Sequence, residues 1–230
     1  MQKTAIKGIS SMATRQVLAD LVAAYEARSG ISVAIESVGG VDAAERVLSG
    51  EVFDVVILAS DAIDKLIAAG RIEAGSKTDL VRSGVALAVK AGAPHPDIGS
   101  EEALRSAVLA ARSLSYSTGP SGVALAALFE RWGIADQIEP RIVKAPPGVP
   151  VGTLVARGEV ELGFQQLSEL IHVQGIDLLG AMPPAIQIVT TFSAGVCTGS
   201  AQGEAVRAML AFMASPDAEA ATRAQGMEPA

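Results

Sequence analysis

The sequence predicts an α/β protein of two Rossmann-like lobes joined by two crossover strands. Three observations lead there. Segments with strand period and segments with helix period alternate from residue 3 to residue 225. The apolar half of the 230 residues is aliphatic, 50% hydrophobic against 3% aromatic, which suits buried strands rich in Val, Ile and Leu. A middle α/β series, residues 84–185, is bounded by β runs near Ser83 and Gln187. The first lobe is then residues 1–83 plus 186–230, and the second, 84–185, is inserted into it. Such a layout implies a cleft between two sheets, lined by strand C-termini and helix N-termini.

In order along the chain, Lys3 to Ile9 is a short β-type run, and Ser10-Ser11 opens a helix. Its apolar face is Val17, Leu18, Leu21, Val22 and Tyr25, and Gly30 stops it. Ile31 to Val38 alternates as a strand, Asp42 to Gly50 is a one-face helix, and Asp54 to Ala59 is a wholly apolar strand. Ser60-Asp61 caps a helix that runs to Gly70. This β-α-β-α-β-α order implies a parallel sheet covered by helices. Ser83 to Val89 is the next strand, followed by a helix over 101–111, a strand over 113–117 and a helix over 121–132. Arg141 to Ala145 reads as a strand closed by Pro146-Pro147-Gly148. Val151 to Arg157 is a helix and Glu161 to Gln165 a strand. Gln187 to Cys197 is a long β run, and the helices 203–213 and 216–225 finish the chain.

Composition excludes several functions. With 25 acidic and 18 basic residues the net charge is −7, against the basic face that nucleic-acid binding needs. One Trp, two Tyr and five Phe leave little for stacking bases or sugars. The lone Cys197 allows no intrachain disulfide and no cysteine metal cluster, and its apolar, strand-like surroundings suit a buried structural thiol. No His-x-x-x-His pair, nucleophile elbow or phosphate-binding loop is present, so neither a metal nor a cofactor is expected. No apolar run reaches the ~20 residues that span a bilayer, and no membrane insertion is expected. The N-terminus lacks the apolar stretch of a secretory signal. The expected location is the periplasm if a signal was removed, and otherwise the cytoplasm.

Four strand-to-helix junctions carry small polar or glycine clusters: Gly8 to Arg15, Ser37 to Gly40, Ser115 to Gly122, and Pro146 to Gly152. Helix N-termini present free N–H groups and partial positive charge, hydroxyls add donors, and glycine lets a ligand reach the backbone. Each cluster is equally a plain helix cap, but four together favour a small anionic ligand. Arg15 sits just after the first cap, where a cation is out of place. Two readings stand for it: a guanidinium turned to a ligand carboxylate, or a surface side chain solvated or paired with Asp20 or Glu45. Phe164-Gln165-Gln166 ends an apolar strand with two amides, which either orient a polar ligand or cap the turn. His95 between prolines reads as exposed loop, and His172, on a short helix, as structural. Asp54 and Asp61 flank the third strand without forming an acid–base pair, and no catalytic residue is evident.

The layout resembles the type II periplasmic binding-protein fold, in particular the molybdate-binding proteins of ABC importers. The resemblance is carried by Ser10-Ser11, by Ser37-Val-Gly-Gly40, by Gly50-Glu-Val-Phe-Asp-Val-Val-Ile-Leu-Ala-Ser60, and by Val155-Ala-Arg-Gly-Glu-Val-Glu-Leu-Gly-Phe164. It implies an anion held without a metal by hydroxyls and backbone amides of both lobes. Those roles fall on Ser10 or Ser11, on Ser37 or Gly39 with Gly40, on Ser60, and on the Ser117-Thr118 to Ser121-Gly122 loop. Val151 and Gln165 or Gln166 complete the set. An ABC importer permease is the implied partner of an exported chain. Two departures point to a larger organic anion, a di- or tricarboxylate: Phe164-Gln-Gln stands where the family often has tyrosine, and Arg15 joins an otherwise neutral donor set.

Three readings of function follow. One is binding of a small anion with hinge closure. The alternative is an isomerase using the same cleft, since some bacterial isomerases of cis- and trans-aconitate resemble molybdate-binding proteins. Its allylic proton shift needs a base that the sequence does not reveal. A cytoplasmic ligand sensor ranks last, since no DNA-binding segment is attached.

Overall fold

The computed structural model describes residues 5–146 and 149–230, so Lys3-Thr4 of the first expected strand and Pro147-Gly148 lie outside the described residues. The chain divides into two compact units, one of residues up to Arg82 with Thr191–Ala230 and one of Ser83–Thr190. The first unit begins β1 (Ile6–Ser11), α1 (Arg15–Ser29), β2 (Val33–Val38), α2 (Gly40–Leu48), β3 (Val55–Ala59) and α3 (Ser60–Ala68). β4 (Thr78–Lys90) then carries the chain into the second unit. There follow α4 (Glu101–Ala110), β5 (Leu114–Tyr116), α5 (Pro120–Arg131), α6 (Ala135–Ile138), α7 (Val151–Arg157), β6 (Leu162–Gln166), α8 (Leu167–Leu170) and β7 (Ile176–Ala181). β8 (Val189–Val196) returns to the first unit, which closes with α9 (Gly203–Met213), α10 (Glu219–Ala224) and β9 (Glu228–Pro229).

In the first unit β1 lies between β2 and β3 and is parallel to both. β8 joins β3 antiparallel, Val55 opposite Val196, and β9 pairs antiparallel with Val81 and Arg82. The first three strands are parallel, as their β-α-β-α-β-α order implies, and β8 and β9 make the sheet mixed. Parallel pairing needs a helical crossover, which α1 and α2 supply, but β8 arrives from the second unit without one. Helices cover both faces. Val17, Leu18 and Leu21 of α1 and Val206, Met209 and Leu210 of α9 pack on Ile6, Val55 and Ile57. Ala43, Val47, Ile63 and Leu66 of α2 and α3 pack on Ile9, Val56 and Leu58.

The second unit has strand order β7-β4-β6-β5, antiparallel except for β5 with β6. Period-two alternation divides β4 between two cores. Val85, Leu87 and Val89 face Leu104, Leu125 and Phe129, whereas Ala86 and Ala88 face Val151, Leu154 and Val155 of α7. The small side lets α7 come close. A Cβ on Gly163 of β6 would sit 2.5 Å from Val155 Cγ2 and 2.9 Å from Val151 Cγ1, so glycine there sets the height of α7.

Several sequence-derived elements change. Ser10 and Ser11 belong to β1; a 3₁₀ turn, Met12–Thr14, intervenes, and α1 starts only at Arg15. Ser60 is the first residue of α3, with Ala59 at the N-cap and no side-chain cap bond. Arg141 to Ala145 is no strand: Glu139–Arg141 forms a 3₁₀ turn and a single bridge joins Ile142 to Leu114. Within that stretch Val143 N–H donates to the Leu114 carbonyl, and Pro140 and Pro146, which lack an N–H, flank it on either side. α8 ends at Leu170, which leaves His172 in a turn. β7 went unseen because Gly175 and Gly180 interrupt its apolar pattern, yet both adopt the positive φ that glycine permits.

Candidate functional site

In the first unit the candidate residues meet at the C-terminal ends of β1 and β2. Parallel register places Ser10 opposite Ser37 and Ser11 opposite Val38. Ser10 Oγ and Ser37 Oγ are 2.8 Å apart, and Ser10 Oγ also lies 3.3 Å from the Ser11 carbonyl, to which it can donate. Ser11 points the other way. It is 7% exposed, its Oγ has no hydrogen-bond partner among the described residues, and a Cβ on Gly40 would lie 3.6 Å from Ser11 Cβ. Gly39 is the N-cap of α2 and Gly40 its first residue, so a lone hydroxyl stands beside the free N–H groups of a nine-residue helix. A buried hydroxyl is normally paired, and one left open beside such donors suits an exogenous acceptor.

Arg15 is the first residue of α1 and is exposed. Among the described residues it pairs with neither Asp20, which accepts from Gln225 Nε2, nor Glu45. Together with Leu18, Val22, Val33, Ile35 and Ser37 it lines an open groove of about 630 Å³. Ser60 is half-buried at the start of α3.

In the second unit Ser117 Oγ and Ser121 Oγ lie 3.0 Å apart across the turn that starts α5. A Cβ on Gly122 would fall 1.6 Å from the Ser117 carbonyl oxygen, so the turn closes onto glycine and admits nothing larger. Thr118, in the same turn, is exposed, while Gly119 at the N-cap of α5 contributes no side chain. Ser115, just ahead on β5, is fully buried and its Oγ is unpartnered among the described residues.

Val151 opens α7 and is buried. The next N–H, of Gly152, donates to Gln165 Oε1 at 3.0 Å, and Gln165 Nε2 donates to Glu169 Oε1 at 2.8 Å. Because a backbone N–H can only donate, the orientation of the Gln165 amide is fixed. Gln166 Nε2 donates to Thr190 Oγ1 at 2.8 Å, and its Oε1, in a side chain 4% exposed, has no partner. Burial pushes the Glu169 carboxyl up to about 7, against a smaller downward pull from the Gln165 bond. Glu169 is the residue that sequence reasoning missed. The available signal was the Gln165-to-Glu169 spacing of four across a strand end and a helix start, which brings amide and carboxyl together.

Other groups are structural. Burial, then nearby Asp54, pushes the Cys197 thiol up to about 12, so it stays protonated and inert. Asp54 accepts from Lys7 N–H, Ser200 Oγ and Gln202 Nε2 and ties β1, β3 and the segment before α9 together. His95 Nε2 lies 3.1 Å from Asp177 Oδ2 in an exposed loop. Among the described residues no cluster of His, Cys, Asp or Glu could hold a metal. No helix among them is long and apolar enough to cross a membrane.

A mixed α/β frame with unpartnered hydroxyls beside helix starts describes a ligand-binding protein, and comparison with known proteins specifies the class. The chain belongs to the bacterial extracellular solute-binding protein family, whose model matches residues 6–228. It has the type II periplasmic binding-protein fold. The periplasmic molybdate-binding protein of Azotobacter vinelandii superposes with a TM-score of 0.79 at 21% identity, over 96% of this chain and 98% of that one. The sulfate-binding protein SubI of Mycobacterium tuberculosis H37Rv gives 0.80 at 17% identity, over 98% and 87%. In sequence, a protein named aconitate isomerase from a Pseudomonas species is 38% identical over 232 residues, 98% of this chain and 88% of that protein.

Proposed function

We propose that the protein binds a small polycarboxylate anion. The observation that carries this is Ser11: a buried Oγ without a partner, set against the Gly39-Gly40 start of α2 and close in sequence to the Ser10–Ser37 pair. These groups are donors that need no counter-charge. Arg15, exposed and without an ion pair among the described residues, adds a full positive charge on the same unit for several carboxylates to attract. Ser60, the Ser117-Thr118 to Ser121-Gly122 turn, Val151 and the Gln165 and Gln166 amides are the further proposed contacts. Family membership supports a periplasmic protein that delivers its ligand to the permease of an ABC importer. Thermal unfolding with molybdate, sulfate, citrate, cis-aconitate and trans-aconitate tests the proposal. A tricarboxylate at a hundredfold excess over its Kd should raise Tm by roughly 5–10 °C. A shift with molybdate or sulfate alone would refute the polycarboxylate assignment.

A second reading, isomerisation of an unsaturated tricarboxylate, is favoured by two observations. One is the 38% identity to a protein named aconitate isomerase. The other is Glu169, since a carboxyl held near 7 adds nothing to anion affinity once ionised but suits proton transfer near neutrality. Following cis-aconitate by NMR with the purified protein tests it; an unchanged spectrum at high protein concentration would rule it out.

A further inference from the structure

We propose that Glu169 is the proton-transferring group of this protein, its carboxyl aimed by Gln165 and its second oxygen, Oε2, carrying the proton. The inference rests on the isomerase reading above. It starts from the relay Gly152 N–H to Gln165 Oε1 and Gln165 Nε2 to Glu169 Oε1. The first bond fixes which end of the amide is oxygen. The second therefore commits Glu169 Oε1 as an acceptor in either protonation state and leaves Oε2 as the atom that can gain or lose a proton. Gln165 is 4% exposed and Gly163 beneath α7 fixes the helix that supplies the Gly152 N–H, so the relay is rigid where it begins. Glu169, at its end, keeps intermediate exposure, as a group that must meet a ligand requires. Gln166, the residue after Gln165 in β6, has a buried Oε1 without a partner among the described residues.

Few charges bear on this carboxyl. β6 has no ionisable side chain, α8 has none besides Glu169, and α7 ends in Arg157, which lies 3.9 Å from Glu159. In β4, Lys90 lies beyond the β6 pairing and its side chain reaches Gly158. Asp177 of β7 is occupied by His95 and the Gly92 N–H. His172, three residues on, is the remaining ionisable neighbour in sequence, and it makes contacts of its own.

The step balances with one group. Ionised Glu169 takes a proton from the methylene carbon of the substrate, and that C–H electron pair becomes part of an allylic carbanion delocalised into the adjoining carboxylates. The double bond then forms at the carbon that lost the proton. Glu169 returns the proton to the carbon at the far end of the allylic system. No oxidant, reductant or second substrate enters, and the cis or trans outcome depends on the rotamer in which the methylene is held.

The test compares wild type, Glu169→Gln and Glu169→Asp by NMR with cis-aconitate in D2O, alongside ligand-induced Tm shifts. Glutamine keeps the acceptor for Gln165 Nε2, so E169Q should fold and retain the ligand shift while its turnover falls at least 100-fold. Wild type should place deuterium on the substrate methylene and lose activity below about pH 7, as the carboxyl protonates. E169D should retain part of the rate with a displaced pH profile, which a purely structural role would not produce. Active wild type with E169Q within threefold of it overturns the Glu169 assignment alone. Wild type that binds aconitate without turnover overturns the isomerase reading and this inference with it.

Discussion

The two units present candidate ligand groups of opposite character. In the first, the ends of β1 and β2 offer neutral hydroxyls at Ser10, Ser11 and Ser37, a glycine helix start, and Arg15. In the second, the end of β6 offers two amides and a carboxyl: Gln165, Gln166 and Glu169. Both use the same device, since a strand's last residues and the next helix start converge. Their chemistry differs, because hydroxyls and N–H groups stabilise an anion passively whereas a carboxyl held near 7 can exchange a proton. A pure anion carrier would be expected to have the first kind of surface on both units. On the proposed role of Glu169, this contrast separates a catalyst from a solute carrier on one frame, and it can be tested from either side.

The largest structural effect is expected at Gly122. Alanine there would place Cβ 1.6 Å from the Ser117 carbonyl, so the 117–122 turn must open. Gly122→Ala should abolish the ligand-induced Tm shift and cost about 1–3 kcal/mol, measured by urea unfolding. An unaltered ligand response would remove this turn from the site.

Ser11 and Ser10 sharpen the comparison within the first unit. Ser11 Oγ has no partner to lose, so Ser11→Ala should leave Tm unchanged or slightly higher while weakening ligand binding about tenfold by calorimetry. Ser10→Ala breaks the 2.8 Å contact with Ser37 and should cost about 1 kcal/mol of stability. If both serines behaved alike, the separation into a structural and a ligand-facing hydroxyl would fail.

Glu169 gives a pH signature in the second unit. Folded, it holds its proton up to about pH 7, whereas unfolded it ionises near 4.5. Between those values the folded state binds the extra proton, so this group's contribution to stability falls as pH rises and is least above pH 7. Glutamine cannot ionise; E169Q should therefore melt a few degrees above wild type at pH 8 and with it at pH 4. Identical melting at both pH values would mean that the carboxyl is not held near 7.

Arg15 carries the smallest effect. Exposed at the N-terminus of α1, it opposes the helix dipole, so Arg15→Gln should leave stability unchanged or raise it by about 0.5 kcal/mol. Affinity for a tricarboxylate should fall a few-fold and lose part of its salt dependence. Unchanged affinity at low ionic strength would leave Arg15 a surface side chain.

Much of the frame was legible because it is written in local pattern. The wholly apolar Val55–Ala59 and the alternating Val33–Val38 declare their strands, and Gly30 ends α1 in the left-handed conformation as its position suggests. Long-range pairing was not legible. The antiparallel return of β8 and the place of β7 depend on the route of the chain between units, which no local period encodes. At the site, Ser10 and Ser37 were found because small polar residues at strand ends are a sequence-level signal, and the register that joins them follows from parallel pairing. Glu169 was hidden for the opposite reason. In sequence it is one acid on a short helix, and only the fixed Gln165 amide and the burial of its carboxyl distinguish it from a solvated glutamate.

The central claim is that the chain recognises a polycarboxylate, and calorimetric titration with cis-aconitate measures it most directly. The account predicts a one-site isotherm with wild type, about tenfold weaker in Ser11→Ala, and no competition by molybdate at equal concentration. A flat titration with cis-aconitate, together with tight one-site binding of molybdate, would contradict it.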